Sequence, residues 1–172
     1  MPRHQGVVLV DTNVIIESWR VSCWRALTSG YAVESVEMCA IIETQTGLQR
    51  RRPEERIDLA EIQATLRNIH GVGTVERAEA LLRDDQIRFL DAGEQMLWAH
   101  ALTRSDAWLL CGPDKASLRV GIRLGLRDRL VSLERLLLDV GHRPKQPLKR
   151  QYTEQWLRDA LSQIASLEEP RR

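Results

Sequence analysis

Residues 6–13 read GVVLVDTN. The run Gly6–Val10 has no polar face, which suits a strand buried on both sides, as in a parallel sheet covered by helices. The polar triplet Asp11-Thr12-Asn13 ends it. Asn13 is placed to cap a helix starting near Val14. In open parallel sheets, sites form beyond the carboxyl ends of the strands, so Asp11 stands where chemistry is expected.

Outward from this stretch, short apolar runs alternate with helical patterns. Helical segments are predicted at Ser22–Thr28, Val36–Thr46 (with Ser35 as cap), Ile57–Ile69, Thr74–Leu82, Gly93–Leu102 (with Asp91 as cap), Lys115–Leu124 and Leu133–Val140. Strands are predicted at Tyr31–Val33, Trp108–Cys111 and Leu130-Val131, and Asn68–Val72 is an alternative strand at the end of the Ile57–Ile69 helix. Leu48–Arg56, LQRRRPEER, reads as an exposed loop. The alternation predicts an α/β fold: a three-layer α/β/α sandwich around a central parallel sheet of four or five strands. Residues 1–142 would form this body. Residues 143–172 would be a linker and an amphipathic helix, with Tyr152, Trp156, Leu157, Leu161 and Ile164 packed on the body or on a second subunit.

Composition narrows the class. The chain has 172 residues, a charged fraction of 28% and a net charge of +1, so global charge names no partner. No apolar run approaches the length of a membrane span or a signal peptide, and a cytoplasmic location without a membrane partner is expected. Cys23, Cys39 and Cys111 are far apart and read as buried reduced thiols. His4, His70 and His142 are isolated in the sequence and His100 sits on an apolar helix, so a histidine-based zinc site is not expected. Trp98 and Trp108 read as core. Neither of the nucleotide-binding glycine motifs is present. A phosphohydrolase opening on a strand-ending Asp needs a second Asp two residues later, where Asn13 stands.

Four acids are candidates for a shared site: Asp11 after the first strand, Glu43 in the second helical region, Glu94 in the first turn of its helix and Asp114 after WLLC. Glu37 is the rival of Glu43, and Asp91 the rival of Glu94. Converging carboxylates repel one another unless a cation joins them, and hard divalent ions such as Mg²⁺ or Mn²⁺ take oxygen ligands. Such a site activates water for in-line attack on a phosphodiester. Arg50, Arg51, Arg52 and Lys115 are candidate phosphate contacts, as are the arginines 119, 123, 127 and 129.

The sequence also resembles a known family. VVLVDTNVIIES, LDAGEQMLWAHAL and DAWLLCGPDKASLRVGIRLGL resemble, in order and spacing, three acidic motifs of PIN domains, and VESVEMCAIIETQTG resembles their second helix. The resemblance covers about Val7 to Leu138. It implies a Mg²⁺- or Mn²⁺-dependent ribonuclease with Asp11, Glu43, Glu94 and Asp114 as ligands, direct or through water. It further implies that Asn13, and with it Thr12, orients Asp11. An antitoxin partner is often implied in prokaryotes, and a homodimer is expected. Gly112 departs from the Ser or Thr common two residues before the last acid, and the terminal helix has no counterpart in the compact toxins. An alternative is a PIN-like module that has lost its chemistry and binds RNA or protein.

Overall fold

The computed structural model describes residues 2–168. A single five-stranded sheet, every neighbouring pair parallel, forms the centre in the order β3-β2-β1-β4-β5. The strands are β1 (Val7–Val10), β2 (Ala32–Val36), β3 (Asn68–His70), β4 (Trp108–Cys111) and β5 (Leu130–Val131). The helices are α1 (Thr12–Arg20), α2 (Trp24–Gly30), α3 (Leu59–Thr65), α4 (Thr74–Arg83), α5 (Ala92–Ala101), α6 (Lys115–Arg123), α7 (Leu133–Asp139) and α8 (Glu154–Glu168). No helix among the described residues is long and apolar enough to cross a membrane.

Why β1 lacks a polar face is visible in the layers. Val7 and Leu9 face a core built with Leu97 and Trp98 of α5, Leu118 and Val120 of α6, and Leu157, Leu161 and Ile164 of α8. Val8 and Val10 face the opposite core, with Val14 and Ile15 of α1, Leu27 of α2, Ile62 of α3 and Leu136 and Leu137 of α7. Alternate side chains of one strand thus serve two helical layers. Trp98 and Trp108 belong to the first core, edge to face at 6.4 Å between ring centroids. The three cysteines are buried free thiols.

The chain winds outward from β1 through β2 to β3. It then returns through α4 and α5 to lay β4 on the other side of β1. The winding direction reverses between β1 and β4, and the crevice beyond such a reversal is where α/β sheets bind ligands. Asp11 follows β1 and Asp114 follows β4, at that edge.

Three expectations change. β2 continues to Val36, so Ser35 is no helix cap: its hydroxyl donates to the Val10 carbonyl at 2.6 Å and ties the strand ends together. The segment after β2 is a π-helical turn, Met38–Glu43, rather than a long α-helix. The Ile57–Ile69 helix is confined to α3, and Asn68–His70 takes the alternative strand, paired with Glu34–Val36. The terminal helix α8 begins after Tyr152, and its apolar face lies on the chain's own α6 core. The linker before it is pinned to α1, the Lys149 N–H donating to Glu17 at 2.8 Å and Arg20 to the Pro147 carbonyl at 2.9 Å. Residues 169–172 of the expected terminal segment lie outside the described residues.

Candidate active site

A cleft of about 290 Å³ opens at the carboxyl edge of the sheet, lined in part by Asp11, Thr12, Asn13, Glu43, Asp91 and Glu94. Three acids at this edge begin helices. Asp11 caps α1, accepting from the Val14 N–H at 2.8 Å. Asp91 caps α5, accepting from the Glu94 N–H at 2.9 Å. Asp114 caps α6, accepting from the N–H groups of Ala116 and Ser117 at 2.8 and 3.1 Å. In each case one carboxylate oxygen is bound to the backbone and the same helix N-terminus lends partial positive charge. The second oxygen is left for another partner.

Glycines let these acids approach. A Cβ on Gly93 would stand 1.9 Å from Glu43 Oε1, so α5 meets the π-helical turn only because residue 93 has no side chain. A Cβ on Gly112 would stand 3.0 Å from Asp11 Oδ2. That contact leaves little room for a side chain at residue 112. Thr12 donates to Glu43 Oε1 at 2.7 Å and fixes the carboxylate that Gly93 admits.

The electrostatics are those of acids brought together without enough compensation. Asp11 is 4% exposed. Burial pushes its pKa up to about 7 against the opposing Val14 N–H, and Asp91, Glu43 and Asp114 add to the rise. Glu94 is 6% exposed and is pushed up to about 9, by burial first and then by Asp114, Asp91 and Asp11. Burial also raises Glu43, opposed by the Thr12 hydrogen bond and assisted by Asp91.

The sequence-predicted residues therefore divide. Asp11, Glu43 and Glu94 line one cleft, and the field of Asp114 acts on both Asp11 and Glu94. Asp91, the rival of Glu94, stands beside it rather than replacing it. Glu37 is exposed near Gly71 beyond β3 and does not line the cleft. Asn13 lines the cleft but does not cap α1 or bond to Asp11; its carbonyl accepts from the Tyr152 hydroxyl at 3.2 Å. Asp11 supplies its own cap, because the residue at the strand's end already has the extended backbone that a cap needs. Thr12 orients Glu43, not Asp11.

The basic residues divide as well. Arg50 ends one short 3₁₀ turn and Arg52 precedes the next, both exposed on either side of Arg51. Arg51 lines the cleft, but its guanidinium donates to the carbonyls of Glu43, Thr44 and Thr46 and closes the end of the π-helical turn. Lys115 is exposed beside Asp114, its Nζ 3.4 Å from Gln163 Oε1. Arg119 and Arg123 pair with Glu168, and Arg123 also pairs with buried Asp84, so both lie against α8 and the turn before α5.

A second charged cluster has no counterpart among the sequence expectations. Glu34, 1% exposed in the middle of β2, lies 2.6 Å from His70 Nε2 and 2.9 Å from Arg104 Nη1. The rings of His70 and His100 stack at 3.8 Å. His70 is thus isolated in sequence but not in space. The only local signal is an acid in a strand whose other residues, Ala32, Val33, Ser35 and Val36, are apolar or small.

Searches against protein-family models, curated proteins and solved structures found no match to this chain.

Proposed function

We propose that this chain is a metal-dependent nuclease that hydrolyses RNA phosphodiester bonds with Mg²⁺ or Mn²⁺ held by the cleft carboxylates. The observation that carries the proposal is the convergence of Asp11, Glu43, Asp91 and Glu94 on one cleft, with the field of Asp114 acting on it, at the point where the sheet reverses direction. Asp11, Glu43 and Glu94, whose pKa values are raised by burial and then by neighbouring acids, form a donor set that a divalent cation would relieve. All are oxygen donors, which favours hard ions over zinc or copper. RNA as the substrate comes from the resemblance in motif order, as does the reading of a toxin with an antitoxin partner.

Asp11 is the central ligand in this reading, since β1 fixes its backbone and the α1 cap fixes one of its oxygens. Glu94, Glu43 and Asp114 complete the donor set or hold its waters, and Asp91 adds negative charge at the mouth. A cation bound there supplies positive charge to the phosphate and lowers the pKa of a water. Thr12 keeps Glu43 aimed inward, and Arg51 holds the end of the turn that carries it. Arg50, Arg52 and Lys115 are available to the phosphate backbone, contacts that give affinity without sequence preference. A homodimer remains part of the proposal. The α8 face that suggested a second subunit is covered within the chain, so another surface would have to supply the contact.

The test uses purified protein, a mixed single-stranded RNA, both divalent ions and a chelator. Cleavage should require the ion and disappear in Asp11→Asn. Equal cleavage by both proteins would place the activity elsewhere. No cleavage by either, with no ion bound, would leave a binding module without chemistry.

A further inference from the structure

Glu34, His70, His100 and Arg104 form a cluster at the far end of α5 from the cleft, and it uses none of the cleft's residues. Its centre is an Arg104 nitrogen. Nη1 lies 2.9 Å from Glu34 Oε1 and 3.0 Å from His100 Nε2, while His70 Nε2 lies 2.6 Å from the same Glu34 oxygen. Glu34, His70 and His100 each offer a donor atom, and these atoms are within 4.8 Å of one another. Glu34 Oε1 and His100 Nε2 flank a position now taken by a positive group, and His70 Nε2 reaches the same Glu34 oxygen.

The donors are prepared for a metal ion in two further ways. The other Glu34 oxygen is held by Asn68 Nδ2 at 3.3 Å and by Arg67 Nε at 3.5 Å, which leaves Oε1 turned to the imidazoles. Outer partners of this kind fix a ligand's orientation. Arg104 Nη1 can only donate, so His100 Nε2, 3.0 Å away, is the accepting nitrogen of its ring and presents a lone pair that can act as a ligand. Arg104 is not committed to the site. Its Nε and Nη2 already bond the half-exposed Asp106 at 2.8 and 2.6 Å, so releasing Nη1 leaves that pair intact. His70 is partly exposed, with 26% of its side chain open to solvent, which provides a way in.

We propose that Glu34, His70 and His100 form a second metal site, for a borderline transition ion of the Zn²⁺ or Co²⁺ class, with Arg104 standing in for the ion until it binds. Two imidazole nitrogens and one carboxylate oxygen match the donor preference of these ions and not that of Mg²⁺. The bound ion joins β2, β3 and α5. Three protein ligands leave a fourth position for water or an exogenous ligand.

The proposal does not depend on the nuclease reading, and its test keeps the two sites apart. The metal-free full chain is titrated with Co²⁺ alone, followed by its visible spectrum, and with Zn²⁺ by calorimetry. One ion should bind with a tetrahedral Co²⁺ spectrum, unchanged in Asp11→Asn. His100→Ala should weaken binding at least tenfold. Arg104→Gln removes the competing cation and should tighten it about tenfold, whereas a purely structural ion pair predicts no such gain. X-ray absorption at the zinc edge of the wild-type protein should show two imidazole ligands whether or not the histidine variants fold. An oxygen-only shell, or loss of the site in Asp11→Asn, would overturn the proposal. So would Arg104→Gln binding no tighter than wild type.

Discussion

At the N-terminal end of α5, Glu94 enters a cleft among other carboxylates; at its C-terminal end, His100 meets Glu34, His70 and Arg104. Both ends hold a nearly inaccessible glutamate, and their surroundings drive it in opposite directions. Burial, then Asp114, Asp91 and Asp11, push Glu94 up to about 9, and one backbone hydrogen bond from Asp91 opposes them. Burial works against Glu34 as well, but hydrogen bonds from His70, Arg104 and Asn68 outweigh it and hold the carboxyl below its ordinary value. A buried charge is tolerated when its partners are built into the fold. Where they are missing, a proton takes the place of a partner, and a bound cation would compete with it for the carboxylates.

The largest expected effect separates the two ends by activity. Asp11→Asn should lower cleavage by about a thousandfold, because it deletes a ligand charge while Asn still caps α1. The Glu34→Gln variant should retain ion-dependent cleavage in the same RNA assay. Loss in both would mean that the ends are not independent.

Stability should reverse the ranking. Glu34→Gln leaves Arg104 and its neighbours without their buried carboxylate and should cost about 3 kcal/mol in denaturant unfolding. Asp11→Asn in metal-free protein at pH 8 should instead gain on the order of 1–2 kcal/mol, as repulsion falls.

The two ends should also impose opposite pH slopes. Asp11 and Glu94 titrate higher in the folded chain than in the unfolded one. Their contribution is fully present below the ordinary carboxylate range and is lost as pH rises through about 7 and about 9. Glu34 and His100 are both lowered, so their contribution is present at neutral pH and lost as pH falls. Thermal unfolding of metal-free protein should show stability falling between pH 6 and 9. Asp11→Asn should flatten the lower part of that fall and saturating Mn²⁺ most of it. A profile unmoved by either would contradict the assignment of these shifts to the cleft.

Gly93→Ala should act through Glu43. Its Cβ would stand 1.9 Å from Oε1, so the carboxylate must move. Cleavage should drop about tenfold, whereas the helix preference of alanine works the other way, by less in this first turn than the roughly 1 kcal/mol of a helix interior. Kinetics and unfolding measured on the same preparation separate the two. The smallest effect is expected from Arg50→Ala with Arg52→Ala, a few-fold weakening of RNA binding with a shallower salt dependence.

Much of the framework is legible in the order of the residues. The Val7–Val10 and Trp108–Cys111 runs are continuous apolar signals, and each declares a buried strand without reference to distant residues. The acids at their ends follow from topology, since a parallel sheet gathers its strand ends on one edge. Glu43 and Glu94 follow from motif order, not periodicity. The local signal fails where a polar residue serves the interior. Ser35 reads as a cap by composition, yet its hydroxyl bonds the end of β1, and Asp11 takes the capping role expected of Asn13.

The sequence by itself determined the alternation of strands and helices, because hydrophobic periodicity is local information. Tertiary structure alone decided which charges are compensated. Glu34 meets partners 36 and 70 residues away, and Thr12 meets Glu43 across 31. Gly93 matters only because another segment's carboxylate occupies the space a side chain would fill. Charge compensation depends on distances between atoms that the chain brings together only by folding, and no spacing along the sequence encodes them.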